Sequence, residues 1–165
     1  MRIYLIGFMG CGKSTLGKKL AKRSGLQFID MDHYIEERNC KTVPRIFAED
    51  GEAEFRIRER KALEELSQFS NVVIATGGGA PCFFDNIELM NRTGKTIYMD
   101  IDPEILADRL IRSKIDRPLI KGKSLEELTE YIKSTLKYRH NFYKKAKFRI
   151  TSPGTNLDEI IKMIS

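Results

Sequence analysis

Five short apolar runs punctuate the chain: residues 3–6 (IYLI), 27–29 (QFI), 72–75 (VVIA), 96–99 (TIYM) and 148–150 (FRI). Runs of this length, separated by longer amphipathic stretches, read as strands buried on both faces. The stretches between them carry helical patterns. Leu16, Leu20 and Ala21 recur at helical spacing, and Gly25 fits a C-cap. Residues 53–69 alternate charged and apolar positions in helical rhythm, and residues 86–90 form a short helix stopped near Gly94. Pro103 fits the first position of a helix through Ile111, with Asp102 as its N-cap. Ser124 followed by Glu127 makes a capping box for a long helix towards Tyr143. Asn156 or Asp158 starts a last helix ending at Ile164. This alternation predicts an α/β chain with a parallel sheet covered on both faces. With 165 residues and no internal repeat or linker, residues 1–165 are expected to form one domain.

Two stretches break the alternation. Residues 31–70 are too long for a single crossover helix. Residues 113–123, SKIDRPLIKGK, are basic, carry Pro118 and Gly122, and show little amphipathic pattern. Insertions on a compact α/β core often carry function, and this one is a candidate lid.

The first apolar run leads into GFMGCGKST at 7–15, in which Gly7, Gly12, Lys13 and Ser14 match G-x-x-x-x-G-K-[ST]. Glycines let the backbone curl until several N–H groups face an anion, and the following helix adds its positive N-terminal end. In such a loop Lys13 reaches the β- and γ-phosphates and the Ser14 hydroxyl holds Mg²⁺. A strand before the match and a helix after it supply the confirming context. Cys11 is read as a small residue tolerated inside the loop.

A net charge of +6 suits an anionic ligand without choosing one. Nucleic acid is not expected as a partner, because basic and aromatic residues do not interleave and no nucleic-acid module is recognisable. The three cysteines, Cys11, Cys40 and Cys82, are scattered without a Cys-x-x-Cys pair, which argues against structural zinc and suits a reducing compartment. No apolar stretch could span a bilayer. The chain is therefore expected to be cytoplasmic, with no membrane partner, and a monomer.

A phosphate loop alone fits a GTPase, a motor, a nucleotide kinase or a small-molecule kinase. Three further features narrow the choice. FIDMD puts Asp30 and Asp32 at the carboxyl end of the second strand, where open α/β sheets bind ligands. Arg56, in FRIRERK, has the chemistry to grip a carboxylate through paired N–H bonds. VVIATGGGA ends the third strand in Gly77, Gly78 and Gly79, which suggests a ligand lying close against the backbone.

Taken together, GFMGCGKST (7–15), the Asp-x-Asp of FIDMD, GEAEFR (51–56), TGGGA (76–80), RPL (117–119) and YRHNFY (138–143) resemble a shikimate kinase in order and spacing over nearly the whole chain. The resemblance implies a three-layer P-loop NTPase fold whose five-stranded parallel sheet runs in the order 2-3-1-4-5. It implies a shikimate-binding segment at about 31–60 and a mobile lid at about 112–124. The implied reaction moves the γ-phosphate of ATP, with Mg²⁺, to the 3-hydroxyl of shikimate, a step of aromatic amino-acid biosynthesis. Gly10, Cys11, Gly12, Lys13, Ser14 and Thr15 would bind ATP. Asp32 would hold the acceptor hydroxyls and act as general base, and Asp30 would orient Mg²⁺ through water beside Ser14. Arg56 and Arg139 would clamp the substrate carboxylate, and Gly77, Gly78 and Gly79 would line its ring. Lys13 and Arg117 would stabilise the transferring phosphoryl group. An arginine before the lid would meet adenine, with Arg112 taken over Arg109, and Thr151, Ser152 and Pro153 would flank the base. The chain departs from the family at Ala146-Lys147, where an acid usually follows the alanine. Rival readings are a gluconate-type sugar-acid kinase, a nucleoside monophosphate kinase, a GTPase lacking its Asn-Lys-x-Asp motif, and a non-catalytic nucleotide-binding module.

Overall fold

The computed structural model describes residues 1–115, 117, 119–152 and 154–165. Asp116 and Pro118 of the expected lid, and Pro153 of the stretch expected beside adenine, lie outside the described residues. The chain runs β1 (Arg2–Ile6), α1 (Lys13–Ser24), β2 (Gln27–Asp30), α2 (Met31–Asn39), α3 (Val43–Leu66) and β3 (Val72–Ala75). A 3-10 turn at Ala80–Cys82 leads to α4 (Asn86–Thr93), β4 (Lys95–Met99), α5 (Pro103–Arg112), α6 (Leu125–Tyr143), β5 (Phe148–Ile150) and α7 (Leu157–Ile164).

All pairings are parallel, and the five strands lie in the order β2-β3-β1-β4-β5, as the resemblance implied. Strand periodicity divides the apolar residues between two helical layers. Ile3, Leu5, Val73 and Ile97 pack towards Leu20 of α1 and Ile160 and Ile164 of α7. Tyr4, Ile6, Ile74 and Tyr98 face Ile35 of α2, Leu63 and Leu66 of α3 and Met90 of α4. A third cluster, including Phe8, Met99, Leu106, Leu110 and Ile132, fixes α5 and α6 beneath the loop that follows β1. No described helix is long and apolar enough to cross a membrane.

The structure corrects several sequence expectations. Residues 31–70 contain two helices, and the second begins at Val43, well before residue 53. Thr42 caps α3 by accepting the Arg45 N–H, while the Val43 N–H donates to the Glu36 carboxylate at 2.7 Å. Gly51, at φ 83°, breaks α3 internally, and this break masked the continuity of the pattern. Asp32, expected at the carboxyl end of the second strand, lies in the first turn of α2, because Asp30 ends β2 and caps that helix through the N–H groups of Asp32 and His33. Asp102 occupies the N-cap position of α5 without making a side-chain cap bond. Asn156, not Asp158, caps α7.

Candidate active site

A cavity of about 940 Å³ opens where the loop after β1, the start of α2, the middle of α3 and the loop after β3 converge. Gly10, Cys11, Gly12, Lys13, Ser14 and Thr15 line its floor. Gly12 sits at φ 100°, a conformation that a residue with a Cβ adopts only under strain. It delivers the chain into α1 with the N–H groups of Gly12, Lys13, Ser14 and Thr15 making no hydrogen bond among the described residues. These donors, at the positive end of a twelve-residue helix, form an anion cradle. The Lys13 ammonium is folded back over the loop, donating to the carbonyls of Gly7 at 2.7 Å and Phe8 at 3.0 Å, with the Cys11 sulfur 3.7 Å away.

Ser14 donates its hydroxyl to Asp30 Oδ2 at 2.8 Å, while Asp30 Oδ1 receives the Asp32 N–H at 3.1 Å. One carboxylate thus joins the phosphate loop to the start of α2. Asp32 projects into the cavity beside Gly77; a Cβ on Gly77 would lie 3.1 Å from Asp32 Oδ1. Burial, and next the charge of Asp30, raise the Asp32 carboxyl above its ordinary value, with Lys13 and Arg117 pulling the other way.

Arg56 comes from α3 behind its break. Its guanidinium is buried and lies 4.2 Å from the ring centre of Phe83 and 5.2 Å from that of Phe55. It donates to Glu59 at 2.9 Å and to Glu52 at 3.1 Å. A Cβ on Gly79 would fall 2.6 Å from this guanidinium, so the last glycine of the triplet makes room for the arginine. Glu59 is fully buried, and its Oε2 has no hydrogen-bond partner among the described residues. Burial pushes its carboxyl up to about 7 in spite of Arg56, and the nearby Asp32 charge adds to the rise. Arg139, from α6, is also buried; it sits over the Phe8 ring at 5.4 Å and donates to the Tyr143 hydroxyl at 3.4 Å.

The basic residues near the expected lid separate. Arg109 lines the cavity and donates to the Gly10 carbonyl at 3.2 Å. Arg112 does not line it; its side chain is 77% exposed and paired with Asp108 one turn back at 3.1 Å. The structure therefore brings Arg109, and not Arg112, to the cavity beside Gly10. Arg117 reaches the cavity, and its Nε is buried without a partner among the described residues. Burial lowers its pKa, opposed by the charges of Asp32 and Asp30.

The shikimate kinase family model matches residues 9–165. The chain belongs to the shikimate kinase family. A shikimate kinase of Bacteroides fragilis is 51% identical over 148 residues, covering 90% of this chain and 83% of the relative. The crystal structure of shikimate kinase from Bacteroides thetaiotaomicron superposes with a TM-score of 0.91 at 46% identity, covering 99% of this chain and 95% of that one. Shikimate kinase from Acinetobacter baumannii, solved in complex with shikimate, gives a TM-score of 0.87 at 36% identity, covering 99% and 92%. Members of this family are ATP-dependent small-molecule kinases with a P-loop NTPase fold, and this chain is such an enzyme. Against that family background, two residues of the site, Glu59 and Tyr143, went unnamed as such in the sequence, and Arg109 was set second to Arg112. Glu59 stands three positions after Arg56 on a helix, a spacing that puts the two on one face. Tyr143 stands four after Arg139 by the same rule. Arg109 had no such signal, since its partner is a backbone carbonyl 99 positions away.

Proposed function

We propose that this chain transfers the γ-phosphate of ATP to the 3-hydroxyl of shikimate, releasing ADP and shikimate 3-phosphate. The observation that carries this reading is the convergence, in one cavity, of the phosphate cradle, Asp32 and the two buried arginines Arg56 and Arg139. A polyhydroxylated carboxylate needs this set: cations for its acid group and an acidic side chain for its hydroxyls.

In this mechanism Arg56 and Arg139 hold the carboxylate and the N–H groups of the Gly77–Gly79 stretch meet the ring hydroxyls. Asp32, made more basic by its burial, takes the proton of the attacking hydroxyl. Lys13 and Arg117 neutralise charge that spreads over the transferring phosphoryl group, the principal catalytic demand of this reaction class. Arg109 takes the adenine-side role, with Ser152 lining the same cavity and Thr151 preceding it in the chain. The Ser14 hydroxyl and Asp30 carboxylate are hard oxygen donors 2.8 Å apart, a pair that fits Mg²⁺ bound with phosphate and water. When bound, Mg²⁺ supplies charge neutralisation at the phosphate oxygens. Residues of about 31–60 act as the substrate-binding segment, and about 112–124 as the lid that brings Arg117 in and excludes water.

A coupled assay of ADP release with Mg-ATP tests the reading, run with shikimate, with gluconate and with no acceptor. Release that depends on shikimate is the expected result. Release with gluconate alone overturns the acceptor assignment, and release without acceptor makes the chain an NTPase.

A further inference from the structure

Tyr143 closes α6 and is completely buried, yet its hydroxyl is committed to the substrate side of the molecule. It donates to the carbonyl of Gly78 at 2.5 Å and accepts from Arg139 Nη1 at 3.4 Å. Its ring packs on that of Tyr98 at 5.0 Å between centres, which fixes where the hydroxyl can lie. Burial raises its pKa, so the hydroxyl keeps its proton and remains a donor. The peptide joining Gly78 to Gly79 is trans, as are all described peptides. Its carbonyl and its N–H therefore point in opposite directions. Holding the Gly78 carbonyl against Tyr143 turns the Gly79 N–H away from the core. Gly79 is buried and lines the cavity, but its N–H has no hydrogen-bond partner among the described residues. A buried donor left open in this way is a prepared contact for a ligand. Glycine at 78 allows the arrangement, because a Cβ there would lie 3.2 Å from the Met9 backbone nitrogen and 3.3 Å from Arg139 Nη1.

We propose that Tyr143 is a positioning residue for the acceptor: one hydroxyl sets the plane of the Gly78–Gly79 peptide, aims the Gly79 N–H at shikimate, and ties that donor to the Arg139 guanidinium. Tyr143 touches no substrate itself; it makes the backbone donor and the carboxylate clamp a single unit. This inference rests on the acceptor site assigned above.

The test uses the intact chain and three variants: Tyr143→Phe, which keeps the packed ring and removes the hydroxyl, Arg139→Ala, and Tyr98→Phe as a packing control. For Tyr143→Phe the KM for shikimate rises about tenfold while the KM for ATP stays within about twofold, the pattern expected from losing one oriented donor. Tyr98→Phe leaves both constants near the parent values, because its hydroxyl bonds Asp100 and not the glycine loop. An unchanged shikimate KM in Tyr143→Phe, alongside a raised one in Arg139→Ala, overturns the role of Tyr143 alone. An unchanged KM in Arg139→Ala overturns the acceptor site and the inference with it. A parallel rise in both constants with a lowered unfolding temperature reduces Tyr143 to a packing residue. Amide exchange in the parent chain gives a reading that needs no variant: shikimate slows exchange of the Gly79 N–H, and unaltered exchange overturns the proposal.

Discussion

Replacing Glu59 with glutamine probes the most unusual electrostatic feature of the site. The carboxyl is fully buried, one oxygen bonds Arg56 and the other bonds nothing among the described residues. Its pKa stands at about 7 against an ordinary 4.5. Between those values the folded chain holds a proton that the unfolded chain releases. Stability therefore falls as pH rises from about 4.5 to about 7 and is flat beyond. A displacement of this size corresponds to as much as ~3 kcal/mol. For a chain of this length that is ~6–12 °C in unfolding temperature. Glutamine keeps an acceptor for Arg56 and cannot ionise, so the variant lacks this part of the decline. The assay is thermal or urea unfolding of parent and variant at pH 5 and pH 8. Asp32, whose pKa is also raised, contributes in the same sense to both proteins. The expected result is a parent that loses several degrees more than Glu59→Gln between the two pH values. Equal losses would refute the reasoning, because they would mean that Glu59 ionises in the fold as readily as in water.

Two other outcomes follow from the same geometry. Asp32→Asn removes the general base and should lower kcat by at least ~100-fold while nucleotide binding, followed by titration calorimetry, stays nearly unchanged; near-normal turnover would exclude Asp32 from the chemistry. Arg109→Ala should raise the KM for ATP several-fold, because Arg109 lines the cavity beside Gly10, whereas Arg112→Ala should leave it alone; the opposite ranking would return the adenine contact to Arg112.

The strands were legible to within a residue or so. The inner strands β1, β3 and β4 are nearly continuous buried apolar runs, as expected, whereas the edge strands β2 and β5 are not buried on both faces: Gln27 and Arg149 are exposed, because an edge strand has a neighbour on one side only. The helices of residues 31–66 were not legible. MDHYIEERN buries only Met31 and Ile35, a single i,i+4 pair that makes too thin a stripe to announce a helix, and Gly51 cuts the pattern of the next one. The phosphate cradle could be read from sequence because its geometry is local to nine consecutive residues. Helical spacing sets Glu59 beside Arg56 and Tyr143 beside Arg139, but their other partners lie in other elements and leave no local trace: Asp32 and Gly77 for the first, the Gly78 carbonyl for the second. The choice between Arg109 and Arg112 likewise needed the position of α5 against the loop after β1, which no spacing along the chain encodes.

The position of Lys13 bears on how the cradle recognises what enters it. An ammonium donating to the Gly7 and Phe8 carbonyls ties the two ends of the curl together. A ligand does not meet a charge waiting in water; it has to outbid two carbonyl dipoles that already satisfy it. A neutral oxygen offers no better partner and leaves the lysine where it is, whereas a multiply charged phosphate gains far more from the ammonium than the carbonyls lose. The contacts of Lys13 within the loop thus favour a visitor whose negative charge outweighs two carbonyl dipoles.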